Sequence, residues 1–110
     1  MSNSIPIRRL RHRIRLEQPI VTPTEGGAAQ ITWLPIATVW AEVVPLAGRE
    51  LVAFDQRQGR LSHRVSLRYR SDITAAHRVV LGTRILDIRS VFTPDERRRY
   101  LVCLCEETSL

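Results

Sequence analysis

The sequence has no lysine. All 17 of its basic side chains are arginine, against 11 acids, which leaves a net charge of +6 on 110 residues. Arginine makes planar, bidentate contacts with carboxylates and phosphates where lysine offers only a point charge. The absence of lysine therefore fits either oriented ionic contacts or the codon bias of a GC-rich genome. Cysteine is scarce as well. Cys103 and Cys105, in "LVCLCEE", are the only two. On a strand they share a face, too far apart for a disulfide to form between them. They read as reduced core thiols, and alone they lack the further ligands that zinc needs. The N-terminal "MSNSIPIRRL" has no apolar run of signal-peptide length, and no stretch of about 18 apolar residues is present to span a bilayer. A soluble chain, made in the cytoplasm and without a membrane partner, is the expectation. There is no glycine-rich phosphate loop, no nucleophile elbow and no zinc-type spacing among the three histidines, His12, His63 and His77. Neither a catalytic set, nor a metal site, nor a cofactor is expected.

Two related stretches stand out among what is present. "HRIRLEQP" (12–19) and "HRVSLRYR" (63–70) both alternate apolar with polar or guanidinium side chains, the period of a strand with one face buried. In the first, Leu10, His12, Ile14 and Leu16 oppose Arg9, Arg11, Arg13 and Arg15. In the second, Val65, Leu67 and Tyr69 oppose Arg64, Ser66, Arg68 and Arg70. "TPTEGGAAQ" predicts a turn. After it, "ITWLPIATVWAEVVP" reads as a β-branched and aromatic strand, with Pro35 marking an edge, a bulge or a break. Val39, Ala41 and Val43 alternate there with Trp40, Glu42 and Val44, so both faces are expected to be covered. The segment 46–60 changes texture and predicts one short helix or a long loop. "SDITAAHR" reads as a turn, "VVLGTRILDIRSVF" and "YLVCLCEE" as further extended segments, and "TPDERRR" as an exposed loop between them. The expected fold is mainly β, a small antiparallel barrel or sandwich of five or six strands with one short helix or long loop. It would be one domain over residues 1–110, with a flexible arm at 1–7 and a tail at 107–110.

Two functional readings follow from the residues alone. A small endoribonuclease would use His63, Arg68 and Tyr69 as base, phosphate clamp and hydroxyl donor. Against it, alternation sends Arg68 and Tyr69 to opposite faces. A basic nucleic-acid-binding barrel would need exposed aromatics among its arginines, whereas Trp40, Tyr69, Phe92 and Tyr100 all fall where the core is expected. A general attraction to double-stranded DNA remains. The run Arg97–Arg99, following Asp95 and Glu96, reads as a solvated loop.

Taken in order, "LRHRIRLEQP", "GG" and a Trp, "VWAEVVPLAGRE", "SHRVSLRYRSDI", "RILDIRSV" and "YLVCLCEE" resemble the head-tail joining proteins of tailed phages and of phage-derived gene transfer particles, over about Leu10 to Glu106. The resemblance implies a structural role as a head-closure or stopper ring of six copies, or of twelve, around the DNA channel of a particle assembled in the host cytoplasm. Its implied partners are other copies of itself, a portal or adaptor ring above, and a tail terminator or tail tube below. The chain departs from that family in lacking lysine and any long glycine-rich insertion assignable as a channel plug. A ring subunit presents complementary sides to its neighbours, and guanidinium-edged strands suit such pairing. The candidate interface residues are Arg11, Arg13, Arg15, Arg49, Glu50, Arg68, Arg70 and Asp72.

Overall fold

The computed structural model describes residues 9–48 and 61–108. Six antiparallel strands, β1 (His12–Pro23), β2 (Ala29–Pro45), β3 (His63–Arg68), β4 (Arg78–Leu81), β5 (Arg84–Phe92) and β6 (Tyr100–Thr108), close into a barrel in the order β1-β2-β3-β6-β5-β4. Of the two sheet architectures the sequence permits, the chain adopts the barrel. Closure leaves the six-stranded core with no open edge. The segment expected to form a helix or long loop lies, from Arg49 to Arg60, outside the described residues, as does the arm at 1–7.

The alternation in β1 holds from Arg13 to Leu16, but His12, expected on the apolar face, is exposed. Ile14 and Leu16 are fully buried while Arg11, Arg13 and Arg15 are exposed. They join Ala41, Val65, Leu67, Val79, Leu86, Ile88, Leu101, Cys103 and Cys105 in the barrel interior. Burying each aliphatic side chain of this kind contributes roughly 1.5–3 kcal/mol. The cysteines are free and buried as expected, and burial pushes the Cys103 thiol up to about 12 and that of Cys105 higher still.

Several expectations need correction. "VVLGTRILDIRSVF" is not one extended segment but two strands, joined by a two-residue turn at Gly82-Thr83. Gly82 has φ +62°, the left-handed geometry that a tight hairpin asks of its first central residue. Ser66, expected at the surface, is buried, because the outer face of β3 and β6 carries a second apolar cluster of Leu61, Val102 and Leu104 with Leu46 packed against it. Trp40, Tyr69 and Phe92 are not core residues; all three are exposed. β6 also runs on through Glu107 and Thr108, into the stretch expected to be a tail.

β1 and β2 are longer than the barrel needs. β4 pairs with β1 only from Arg15 to Glu17, so beyond Glu17 the hairpin continues as a two-stranded arm, Gln18–Pro23 against Ala29–Leu34. The register slips where the arm leaves the barrel. Leu16 faces Ala37 but Glu17 faces Pro35, so Ile36 is the extra residue of a β-bulge beside the proline. The arm's turn is held by Thr24, whose N–H and hydroxyl both donate to the Ala28 carbonyl, and by Gly26 and Gly27, which supply the positive φ values.

Candidate interaction surfaces

Alternation places Arg13, Trp40 and Arg68 side by side on the outer surface. Arg13 is opposite Trp40 in the β1–β2 register, and Arg68 follows Leu67, the partner of Ala41. Trp40 is 52% exposed, and the Arg13 guanidinium lies 5.4 Å from its ring centroid, within cation–π range. Where β2 and β3 part, beyond Ala41 and Leu67, a cleft of about 330 Å³ opens, lined by Leu10, Val39, Trp40, Arg68, Tyr69 and Arg70. It has an apolar floor and a cationic rim. Its signal was present in the sequence. Glu42 shares a face with Trp40, and a carboxylate two residues away marks that face as wet.

The eight candidate interface residues do not form one site. Arg11, Arg13 and Arg68 lie exposed on the outer surface. Arg70 is held by Asp72 through two hydrogen bonds of 3.0 and 2.8 Å, a local fork rather than an open pair. That bond from Arg70 holds the Asp72 carboxyl below its ordinary range. Arg15 donates to Glu17 at 2.7 Å. Arg49 and Glu50 lie outside the described residues.

The most constrained charged group escaped the sequence reading. Glu17 is 4% exposed, and it sits at the bulge where the arm departs. Its two oxygens accept from Arg15 at 2.7 Å and from Arg78 of β4 at 2.8 Å. Arg78 in turn lies 4.2 Å from the centroid of Trp33 on the arm. Burial alone raises the Glu17 pKa, but the hydrogen bonds and charges of Arg78 and Arg15 outweigh it and hold the carboxyl below its ordinary value. This ladder of arm, carboxylate and β4 ties the base of the arm to the barrel. The clue was an acid that ends an arginine alternation.

The nuclease constellation comes apart. His63 opens β3 and Arg68 closes it, five residues on, so they are about 17 Å apart. His63 instead belongs to a clip at the start of β3. Its Nδ1 lies 2.8 Å from the Ser62 hydroxyl and its Nε2 3.2 Å from Arg84. Because a guanidinium only donates, Nε2 accepts and the proton sits on Nδ1. The Ser62 oxygen also accepts the Glu107 N–H at 2.8 Å, and Glu107 holds Arg84 at 2.8 and 3.0 Å. The hydroxyl is thus used to tie β6 to β3. Burial, opposed by Glu107 and aided by Arg84, lowers the His63 pKa, so the ring is neutral at pH 7. Among the described residues no three His, Cys, Asp or Glu side chains gather to hold a metal.

Comparison with known proteins bears on this geometry. The family described as phage head completion protein matches residues 5–108, nearly the whole chain. The chain belongs to that family. Among solved structures, the solution structure of protein SF1141 from Shigella flexneri 2a is 31% identical, covering 96% of this chain and 98% of that one with a TM-score of 0.75. A chain of the virion of a native gene transfer agent particle shares the fold at 22% identity, with 91% and 96% coverage and a TM-score of 0.65. No curated protein matches. As a phage head completion protein the chain has a structural task rather than a catalytic one. Among the described residues, the exposed features of note are the arm, the arginine-tryptophan row and the cleft.

Proposed function

We propose that the whole chain acts as one connector domain and forms a ring at the head-tail junction of a tailed phage or gene transfer particle. The ring joins the portal or adaptor ring above to the tail terminator or tail tube below, and surrounds the DNA path. Six copies are the favoured number, and twelve the alternative. The observation that carries this reading is a closed barrel, in a head completion family, whose arm and cationic outer face have surfaces to give to neighbours. The fold shared with a gene transfer agent virion chain supports it. Arg11, Arg13 and Arg68 are interface residues on the outer face, and Arg15, Arg70 and Asp72 belong to the same proposal. Arg49 and Glu50 belong to the same proposal through their sequence alone. Mixing the purified chain with the adaptor and tail terminator of its own particle and imaging the product tests it. Ring-shaped complexes bridging the two are expected; failure to bind either would sink the reading.

One observation favours a second reading. Trp40 is exposed beside Arg13 and Arg68, the arrangement that single-strand binders use for stacking. Binding of that kind would be steeply salt-dependent and would fall when Trp40 is replaced by alanine. Absence of such binding at physiological salt leaves the connector reading alone.

A further inference from the structure

Among the described residues, the arm is the part least explained by the chain's own fold. Val21 is 60% exposed and Ile31 56% on one face of the arm, and Ile20 and Leu34 are exposed on the other. Cross-strand register places Pro19 opposite Trp33 and Val21 opposite Ile31 on one face, so that face is an apolar stripe running toward the tip. A two-stranded ribbon by itself is marginal in water, and a contiguous exposed apolar surface marks a contact site. Charge separates arm from barrel too. No arginine occurs between Arg15 and Arg49, and the only charge in the arm from Gln18 to Pro35 is Glu25 at its turn.

The barrel carries the complement. The cleft between β2 and β3 has Leu10, Val39, Trp40 and Tyr69 for its floor and Arg68 and Arg70 at its rim. An arm cannot fill the cleft of its own chain. β2 runs on from Ala29 to Pro45, so the arm's outer end lies roughly 35–40 Å along the strand from Trp40 and points away from it. The two surfaces can therefore meet only between molecules.

Resting on the ring reading above, we infer that the arm of one copy docks its Pro19, Val21 and Ile31 face into the Trp40–Tyr69 cleft of the next copy, with Glu25 drawn toward Arg68 at the rim. Such a contact is heterologous, donor surface to acceptor surface, and repeats around a ring when the rotation closes. Trp40 is the central anchor, an aromatic flanked by guanidinium groups as at energetic centres of protein interfaces. The contact runs from arm to cleft in one direction only, which gives the ring a single polarity of assembly.

Sedimentation of the full chain over a wide concentration range tests this. Ile31→Asp spoils the arm and leaves the cleft; Trp40→Ala spoils the cleft and leaves the arm. Each variant alone should lose self-association by about thirtyfold or more. An equimolar mixture has one good arm and one good cleft, and should form a species of two chains and none larger. Val21→Ser and Tyr69→Ala provide a milder pair should either first variant unfold. Variants that associate like the unaltered chain overturn the docking while leaving the ring reading intact. An unaltered chain that stays monomeric at every concentration also overturns it, whereas the ring reading is then judged separately by imaging with the adaptor and terminator.

Discussion

Replacing Glu17 by alanine should destabilise the molecule strongly. The carboxylate is buried against two guanidinium groups whose side chains are 48% exposed for Arg15 and 19% for Arg78. Removing one partner from a buried ion pair costs roughly 3–5 kcal/mol, because a charge is left unpaired. Arg15 can turn to water, so the lower end applies, about 3 kcal/mol, most of it from Arg78. For a domain of this size that is a fall in Tm of roughly 10–15 °C. Glu17→Gln keeps an acceptor and the volume, and should cost about half as much. The pH dependence has a definite sign. Since the folded-state pKa lies below the ordinary 4.5, the stabilisation is fully present above that value and is lost as pH falls through the lowered one. Urea denaturation of the unaltered chain and of Glu17→Gln should thus show a gap at pH 7 that closes in acid. A gap that is constant with pH, or an alanine variant within about 0.5 kcal/mol of the unaltered chain, would refute the reasoning.

Further expectations follow from other parts of the molecule. Gly82→Ala should destabilise by about 1 kcal/mol or more in urea denaturation, since φ +62° suits glycine and strains alanine. Cys103 and Cys105, with thiols at about 12 and above, should resist maleimides at pH 8 in the folded chain and react only on unfolding, as mass spectrometry would report. His63 should titrate below 6.5 by NMR, and Arg84→Ala should raise its midpoint by removing a nearby positive charge. Arg13→Ala and Arg68→Ala should leave monomer stability within about 1 kcal/mol yet impair particle assembly. Loss of monomer stability would make them structural groups instead.

How much was legible depended on what each pattern reports. Alternation in β1 and β3 reports which side chains share a face, and it assigned Ile14, Leu16, Val65 and Leu67 to the interior correctly. It does not report whether a face is covered. Trp40 therefore looked like core, and only the three-dimensional register reveals that β4 stops pairing with β1 at Glu17 and leaves the arm's apolar residues uncovered. Ser66 was misplaced for the converse reason, since the outer face of β3 and β6 has its own apolar cover. The turn at Gly82-Thr83 has only its glycine to mark it, because apolar residues run on either side of it. Ionic pairing was the least legible feature. Glu17 and Trp33 share the β1–β2 hairpin, but Arg78 is far from both in sequence and meets them only because the barrel closes β4 onto β1.

The connector account stands or falls most directly on particles made without this chain. Electron microscopy of a lysate from cells in which its gene is deleted, with a tagged copy restored in parallel, gives the answer. The account requires DNA-filled heads and free tails that fail to join in the deletion, and label at the head-tail junction in the complemented particles. Complete, infectious or transducing particles lacking the chain, or label found elsewhere, would contradict it.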